Sequence, residues 1–138
     1  MNKEELINLL EGLGLPKTEY YILSSGSLLF YGLREKAGDL DLCVSYELFE
    51  VLKERYELKE GDKNSFGFYK ISKDIEIVPN SKKDFKLDFV EGYPVEKLET
   101  ILKFKEKRNE PKDQIDIEKI KEYLKKYPNL RGEYNIEK

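Results

Sequence analysis

Asp39 and Asp41, two aspartates separated by one leucine, are the residues of this sequence whose type and spacing point most directly to chemistry. They lie in the segment Asp39-Leu40-Asp41-Leu42, where polar and apolar residues alternate as in a strand with two different faces. Side chains two residues apart on a strand share a face, so the two carboxylates converge. Such carboxylates repel each other unless a cation lies between them, and Mg²⁺ or Mn²⁺ suits oxygen ligands. The alternative is a pair that only faces water.

A second candidate site precedes this pair in the segment Ser25-Gly26-Ser27, where a predicted strand ends and turns into a predicted short helix. Free backbone N–H groups and the positive end of the helix dipole attract phosphate at such a turn. Gly26 and Ser27 are therefore predicted to bind nucleotide phosphates, and the metal carboxylates beside them would suit ATP or another NTP. The alternative is that Ser27 only caps the helix.

The composition excludes several other chemistries. The 138 residues include no histidine and only one cysteine, Cys43, which rules out histidine-based catalytic dyads and zinc sites built on imidazole or thiolates. We expect a cytoplasmic protein with no membrane partner, because there is no disulfide pair, no long apolar run and no signal-peptide pattern. The net charge is −6 over residues 1–96 and +3 over residues 97–138, unlike a general nucleic-acid binder but compatible with a local anion site.

Hydrophobic periodicity predicts the elements that position these residues. The fold class is predicted to be α/β (α+β): a mixed β-sheet flanked by helices, forming one domain over residues 1–127, with a loose tail at 128–138. Helices are predicted at residues 3–13, 28–33, 46–56, 94–108 and 114–127, and strands at 20–24, 39–44, 66–71, 74–78 and 87–90.

The pattern Gly26-Ser27, then Gly32, then Asp39-Leu40-Asp41-Leu42 resembles the signature of the DNA polymerase β-like nucleotidyltransferase superfamily. Its small bacterial members, in the toxin–antitoxin and abortive-infection groups, are the nearer match. The resemblance covers residues 20–120 and implies a mixed sheet flanked by helices. It also implies a third metal-binding carboxylate between apolar residues on a later strand.

Three residues are candidates for that third carboxylate. Glu76 is preferred because Ile75 and Ile77 flank it well inside a predicted strand, although most members of the family carry Asp there. Asp74 projects to the same face but lies by the hairpin turn, and Asp88 lies close to the following helix. The alternative for Glu76 is a solvent-facing position on an edge strand.

A segment further along the chain also resembles the family. In family members, a helix in this region carries a lysine, and a Lys-Asp dipeptide precedes the last helix. Lys105 would be that lysine and would contact phosphate, the alternative being a side chain that lies along the flank of its helix. Asp113, which follows Lys112, is better explained as an N-cap of the last helix.

The resemblance implies an enzyme that transfers a nucleoside monophosphate from an NTP to an acceptor hydroxyl and releases pyrophosphate. Mg²⁺ would be held by Asp39, Asp41 and Glu76. The acceptor would be a side chain of a partner protein, a tRNA end or a small molecule, and a partner chain or a second copy in a homodimer would complete the site. The alternatives are a catalytically inactive copy of the fold, acting as a binding or antitoxin module, and a small α/β interaction domain whose motif is accidental.

Overall fold

A computed structural model describes residues 1–127, and over that range the protein is α+β, with five helices and a mixed, open six-stranded sheet. The predicted fold class is confirmed, whereas the predicted loose tail at 128–138 lies outside the described residues. The helices are α1 (Lys3–Leu13), α2 (Ser24–Phe30), α3 (Tyr46–Arg55), α4 (Leu98–Arg108) and α5 (Gln114–Lys126). The strands are β1 (Tyr20–Ile22), β2 (Leu40–Val44), β3 (Tyr69–Ser72), β4 (Ile75–Pro79), β5 (Leu87–Val90) and β6 (Tyr93–Glu96).

The chain divides into two compact units. The first, Met1–Lys97, holds the sheet with α1, α2 and α3, and the second begins at Leu98 and holds α4 and α5. The single domain over residues 1–127 stays a prediction. Between residues 1 and 127, no helix is both long enough and apolar enough to cross a membrane.

The sheet has the strand order β3-β4-β2-β1-β6-β5. β2 is antiparallel to β1 and parallel to β4, and β1 is parallel to β6. β2 and β4 therefore begin at the same edge of the sheet at which β1 and β6 end. We call this edge the carboxylate edge, because Asp39, Asp41 and Glu76 lie there.

The two faces of the sheet differ in character. Leu40, Leu42 and Val44 alternate along β2 and are fully buried, and they form the core together with residues of α1 and α3. Asp41 and Cys43 point to the opposite face, which we call the carboxylate face. The register therefore sends the apolar residues of β2 into the core and leaves Asp41 on the other side.

Local signals set the ends of the helices that support this sheet. Asn2 and Glu5 form a reciprocal capping box at the start of α1, with N–H···O distances of 2.8 and 2.9 Å. The Ser45 hydroxyl accepts a hydrogen bond from the Leu48 N–H at 3.0 Å and caps α3 directly after β2. β2 is therefore followed at once by a helix that packs on the core face.

Two predicted helix starts are wrong by four residues, and the strand predicted at 66–71 begins only at Tyr69. The helix predicted to begin at Pro94 begins at Leu98, and Pro94 lies in β6, because the fixed φ of proline fits an extended strand as well as a helix start. Glu91 and Gly92, with φ of 54° and 82°, form the two-residue turn between β5 and β6. The helix predicted at 28–33 begins at Ser24, so the segment 25–27 lies inside α2 rather than ahead of it.

Candidate functional site

Asp41 and Glu76 are direct neighbours across two parallel strands. The register pairs Asp41 with Glu76, between the pairs Leu40–Ile75 and Leu42–Ile77. In-register residues of parallel strands share a face, so both carboxyl groups lie on the carboxylate face. Asp39 immediately precedes β2 and is exposed. The sheet therefore places Asp41 beside Glu76, and Asp39 lies close enough for its charge to act on the Asp41 carboxyl group.

The electrostatics of Asp41 reflect this arrangement. Burial of the carboxyl group, followed by the nearby charges of Glu76 and Asp39, raises the pKa of Asp41 to about 6 from an ordinary value of 3.8. Both effects disfavour the ionised form, since the group loses water and meets two like charges. A cation bound here would remove the repulsion and hold Asp41 in its charged form.

The sheet also distinguishes the three candidates for the third carboxylate. Asp88 is buried on β5, which two strands separate from β2, a distance of about 14 Å at the usual strand spacing. Asp74 lies just before β4, and its carbonyl accepts the Leu40 N–H at 2.8 Å. Glu76 is the candidate placed directly beside Asp41.

Residues 1–127 contain no group of three or more His, Cys, Asp or Glu side chains positioned to hold a metal ion. Asp41 and Glu76 nevertheless supply the oxygen donors that Mg²⁺ and Mn²⁺ prefer, and their mutual repulsion is the kind that a divalent cation relieves. The chemistry of the donors therefore fits the predicted metal, and Asp39, Asp41 and Glu76 would have to close around it.

Gly26 and Ser27, predicted to bind phosphate, have close internal contacts in α2. A Cβ atom on Gly26 would lie 2.6 Å from Cγ2 of Ile22 and 3.3 Å from Cδ1 of Leu6. The buried Ser27 hydroxyl donates to the Ile22 carbonyl at 2.5 Å and accepts from the Glu96 N–H at 2.9 Å. Close packing thus explains why residue 26 is a glycine, and the internal hydrogen bonds explain why residue 27 is a serine. Phosphate binding by these two residues stays a prediction.

The start of α2 lies beside Asp41. The N–H of Leu23 donates to the Asp41 carbonyl at 2.9 Å, and the next residue, Ser24, has a φ of 42°, in the left-handed region that is uncommon for serine. Strained residues of this kind cluster at functional sites. The Ser24 N–H donates to Oε1 of Glu96 at 2.8 Å, so a carboxylate already binds at the first turn of α2.

Sequence reasoning missed Glu96. Glu96 ends β6 at the carboxylate edge, and its bond to Ser24 joins residues 72 positions apart in the sequence. Arg34 donates from Nη1 to the Ser25 hydroxyl at 3.3 Å and so lies at the same turn. A local pattern contains no signal for Glu96, because its partner is brought to it only by the parallel pairing of β1 and β6.

Lys105 belongs to the second unit, where it is buried within an ionic network. Its Nζ lies 3.2 Å from Oδ2 of Asp116 and 3.6 Å from Oδ1 of Asp113. Arg108 also donates to Asp113, with an Nε–Oδ2 distance of 2.9 Å, and this bond holds the pKa of Asp113 well below its usual value. Lys105 therefore already has anionic partners, and its predicted contact with phosphate would require these pairs to open.

Asp113 was predicted to be the N-cap of the last helix. It occupies the position before α5, but its side chain makes no cap hydrogen bond to that helix. Its carboxylate instead accepts from Arg108 and from the Glu110 N–H at 3.1 Å. The side chain therefore ties the end of α4 to the turn that leads into α5.

Comparison of this chain with protein-family models, with curated proteins and with solved structures finds no match. The functional interpretation consequently depends on the geometry of the site and on the sequence motif.

Proposed function

We propose that this protein is a metal-dependent nucleotidyltransferase, which transfers a nucleoside monophosphate from an NTP to an acceptor hydroxyl. The observation that carries the proposal is the in-register pairing of Asp41 with Glu76, together with the raised pKa of Asp41. Carboxylates arranged so that they repel one another suit a site that is completed by a divalent cation carrying phosphates.

The proposed roles are those that the resemblance to the nucleotidyltransferase family implies. Asp39 and Asp41 would bind Mg²⁺ together with the triphosphate, and Glu76 would face the acceptor hydroxyl. Bound Mg²⁺ would supply charge neutralisation and a lowered pKa for that hydroxyl. The acceptor oxygen forms a bond to the α-phosphorus, its proton leaves, and the bond to the bridging oxygen breaks to release pyrophosphate. The acceptor would be a partner protein, a tRNA end or a small molecule.

A second candidate function, a catalytically inactive binding module of the same fold, is favoured by specific contacts. Gly26 and Ser27 are engaged in packing and internal hydrogen bonds, and Lys105 is paired with aspartates. These contacts occupy groups that an active enzyme would direct at phosphate. The two functions differ in whether pyrophosphate is released.

Binding of NTP in the presence and absence of Mg²⁺ tests whether the site exists. We expect ATP or another NTP to raise the melting temperature of the wild type only with Mg²⁺ or Mn²⁺, and Asp41→Asn to abolish that shift. At a ligand concentration 100-fold above Kd, the wild-type stabilisation is about 2.7 kcal/mol. The exposed Glu54, on the core side of the sheet, offers a matched control, since Glu54→Gln should keep the shift. Undiminished NTP binding by Asp41→Asn would overturn the proposal.

A further inference from the structure

The connection between β4 and β5 crosses the sheet and ends at the carboxylate edge. β4 is second in the strand order and β5 is last, and the pairings make the two strands run in the same direction. The chain must therefore return from the edge at which β4 ends to the carboxylate edge, where β5 begins. We call the connecting residues 80–86 the strap.

The first half of the strap is held at the far edge of the sheet. The Asn80 N–H donates to the carbonyl of Val44, the last residue of β2, at 2.9 Å. Lys82 lies 2.7 Å from Oε2 of Glu19, whose other oxygen accepts from the Ser45 hydroxyl at 2.7 Å. These contacts place Lys82, and Lys83 after it, near the start of β1 and the end of β2, opposite the carboxylate edge.

The second half of the strap is held over the carboxylate face. The ring of Phe85 packs edge-on against Tyr21, with 4.9 Å between ring centroids, and the register pairs Tyr21 with Cys43, two residues beyond Asp41 on the same face. This contact places the strap against the same face of the sheet as the candidate metal site.

The backbone of Lys86 is held by β6. Its carbonyl accepts the N–H of Lys97, the residue that follows β6, at 3.1 Å. The next residue, Leu87, pairs with Glu96, whose carboxylate binds the first turn of α2. Lys86 is therefore anchored at the carboxylate edge, in line with the start of α2.

The side chain of Lys86 is available to a ligand. Lys86 is exposed and makes no ion pair with any residue in the range 1–127, whereas Lys82 is paired with Glu19. The anionic side chains at this edge include those of Asp39, Asp41, Glu76 and Glu96, and Asp74 lies just before β4. A substrate that carries several phosphates needs cations as well as metal ligands, and a lysine on a fixed backbone supplies one with three hydrogen-bond donors.

We propose that Lys86 binds the triphosphate of the NTP, and that the strap positions its ammonium group at the site. This inference rests on the proposed function and adds to it a phosphate-binding residue from a segment outside the nucleotidyltransferase motif. Lys86 supplies the ammonium group that Lys105 was expected to provide, and it does so from the unit that holds the carboxylates.

Lys83 is a matched control for Lys86, because it is an exposed strap lysine with no ion pair among residues 1–127, located near the opposite edge. Isothermal titration calorimetry would measure the Kd of four ligands: Mg·ATP, Mg·GTP, magnesium tripolyphosphate and AMP. Each ligand would be titrated into the wild type, Lys86→Gln, Lys86→Arg and Lys83→Gln. We expect Lys86→Gln to raise the Kd of the triphosphates by about tenfold and to leave AMP unchanged. Lys86→Arg should recover most of the affinity, and Lys83→Gln should match the wild type.

The outcomes separate this inference from the proposed function. If the wild type binds Mg·NTP and Lys86→Gln binds it equally well, the role of Lys86 is overturned while the nucleotide site stands. An equal loss in Lys86→Gln and Lys83→Gln would indicate a general effect of charge and would also overturn it. If the wild type binds no nucleotide and no tripolyphosphate, the proposed function fails, and the inference fails with it.

Discussion

At the scale of single residues, Asp41 lies in an environment that disfavours its ionised form. It is partly buried, its in-register neighbour is Glu76, and Asp39 lies two positions before it. The raised pKa means that the folded protein binds the Asp41 proton more tightly than the unfolded chain does. The free energy of unfolding must therefore fall as the pH rises from about 4 to about 6, the interval between the unfolded and folded pKa values.

Asp41→Asn should remove this penalty. At about pH 3 the carboxyl group is mostly protonated in both states, so the variant and the wild type should be similarly stable. Above pH 6 the wild type bears the full penalty, and the variant should be more stable by about 1 kcal/mol after allowance for partial exposure. Urea unfolding at about pH 3 and about pH 7.5 measures the difference. Asp84→Asn, an exposed carboxylate on the strap, is the control, and a gain independent of pH would contradict the account of Asp41.

The sequence was sufficient to place Asp41 and Glu76 on strands and Asp39 just before β2, because each lies in a short alternating segment whose apolar neighbours enter the core. Their binding of a metal stays a prediction. It was insufficient for Glu96, since the residue that it binds, Ser24, is distant in the chain. It also failed to anticipate the aspartate partners of Lys105, because helical spacing shows that a lysine turns inward but not which anion it meets.

At the scale of elements, α2 packs so closely on β1 that its glycine leaves no room for a methyl group. Ile22 of β1 and Gly26 of α2 are four positions apart in the sequence. A Cβ atom on Gly26 would lie 2.6 Å from Cγ2 of Ile22. This close packing fixes the start of α2 beside Asp41. The element thus positions the candidate site even where its own side chains face the interior.

Gly26→Ala and Gly12→Ala should have opposite effects on stability. The first forces Ile22 and Leu6 to move, and overpacking of this kind costs about 1–3 kcal/mol. The second lies in α1 with open space around its Cβ and should stabilise the helix by about 0.5–1 kcal/mol. Thermal unfolding of both variants tests the comparison. A Gly26→Ala variant as stable as the wild type would contradict the close packing of α2.

Predictions for elements succeeded where periodicity was long and failed near turns. The helix at 3–13 and the strand at 87–90 agree with the structure to the residue. The start of α2 was misplaced because Ser24, Ser25 and Gly26 have the composition of a turn, yet contacts with the sheet and with Glu96 hold them in a helix. β6 was missed because a strand of four residues containing Pro94 has no periodic signal of its own.

At the scale of the whole molecule, the fold class followed from the alternation of helical and strand patterns, but the sheet order did not. The pairing of β2 with β4 joins residues 35 positions apart, such as Leu40 and Ile75, and the last two strands are added at the other side of the sheet. That order requires the strap to cross the sheet, and the contact of Phe85 with Tyr21 places the crossing on the carboxylate face. The proposed site, made by neighbouring strands and by a crossing connection, would thus be a property of topology rather than of any single segment.

Transfer of label from an NTP is the most direct test of the proposed activity. The assay would follow pyrophosphate release and the transfer of α-phosphate label from an NTP with Mg²⁺ to acceptors in cell extract. The wild type would be compared with Glu76→Gln, with Glu54→Gln as the control, and with extract alone. We expect Glu76→Gln to keep Mg·NTP affinity within a few-fold and to lower transfer by about 10²-fold, because the loss falls on the transition state. Glu54→Gln should match the wild type. Transfer by Glu76→Gln at the wild-type rate, or no pyrophosphate from the wild type with any acceptor, would contradict the proposed activity.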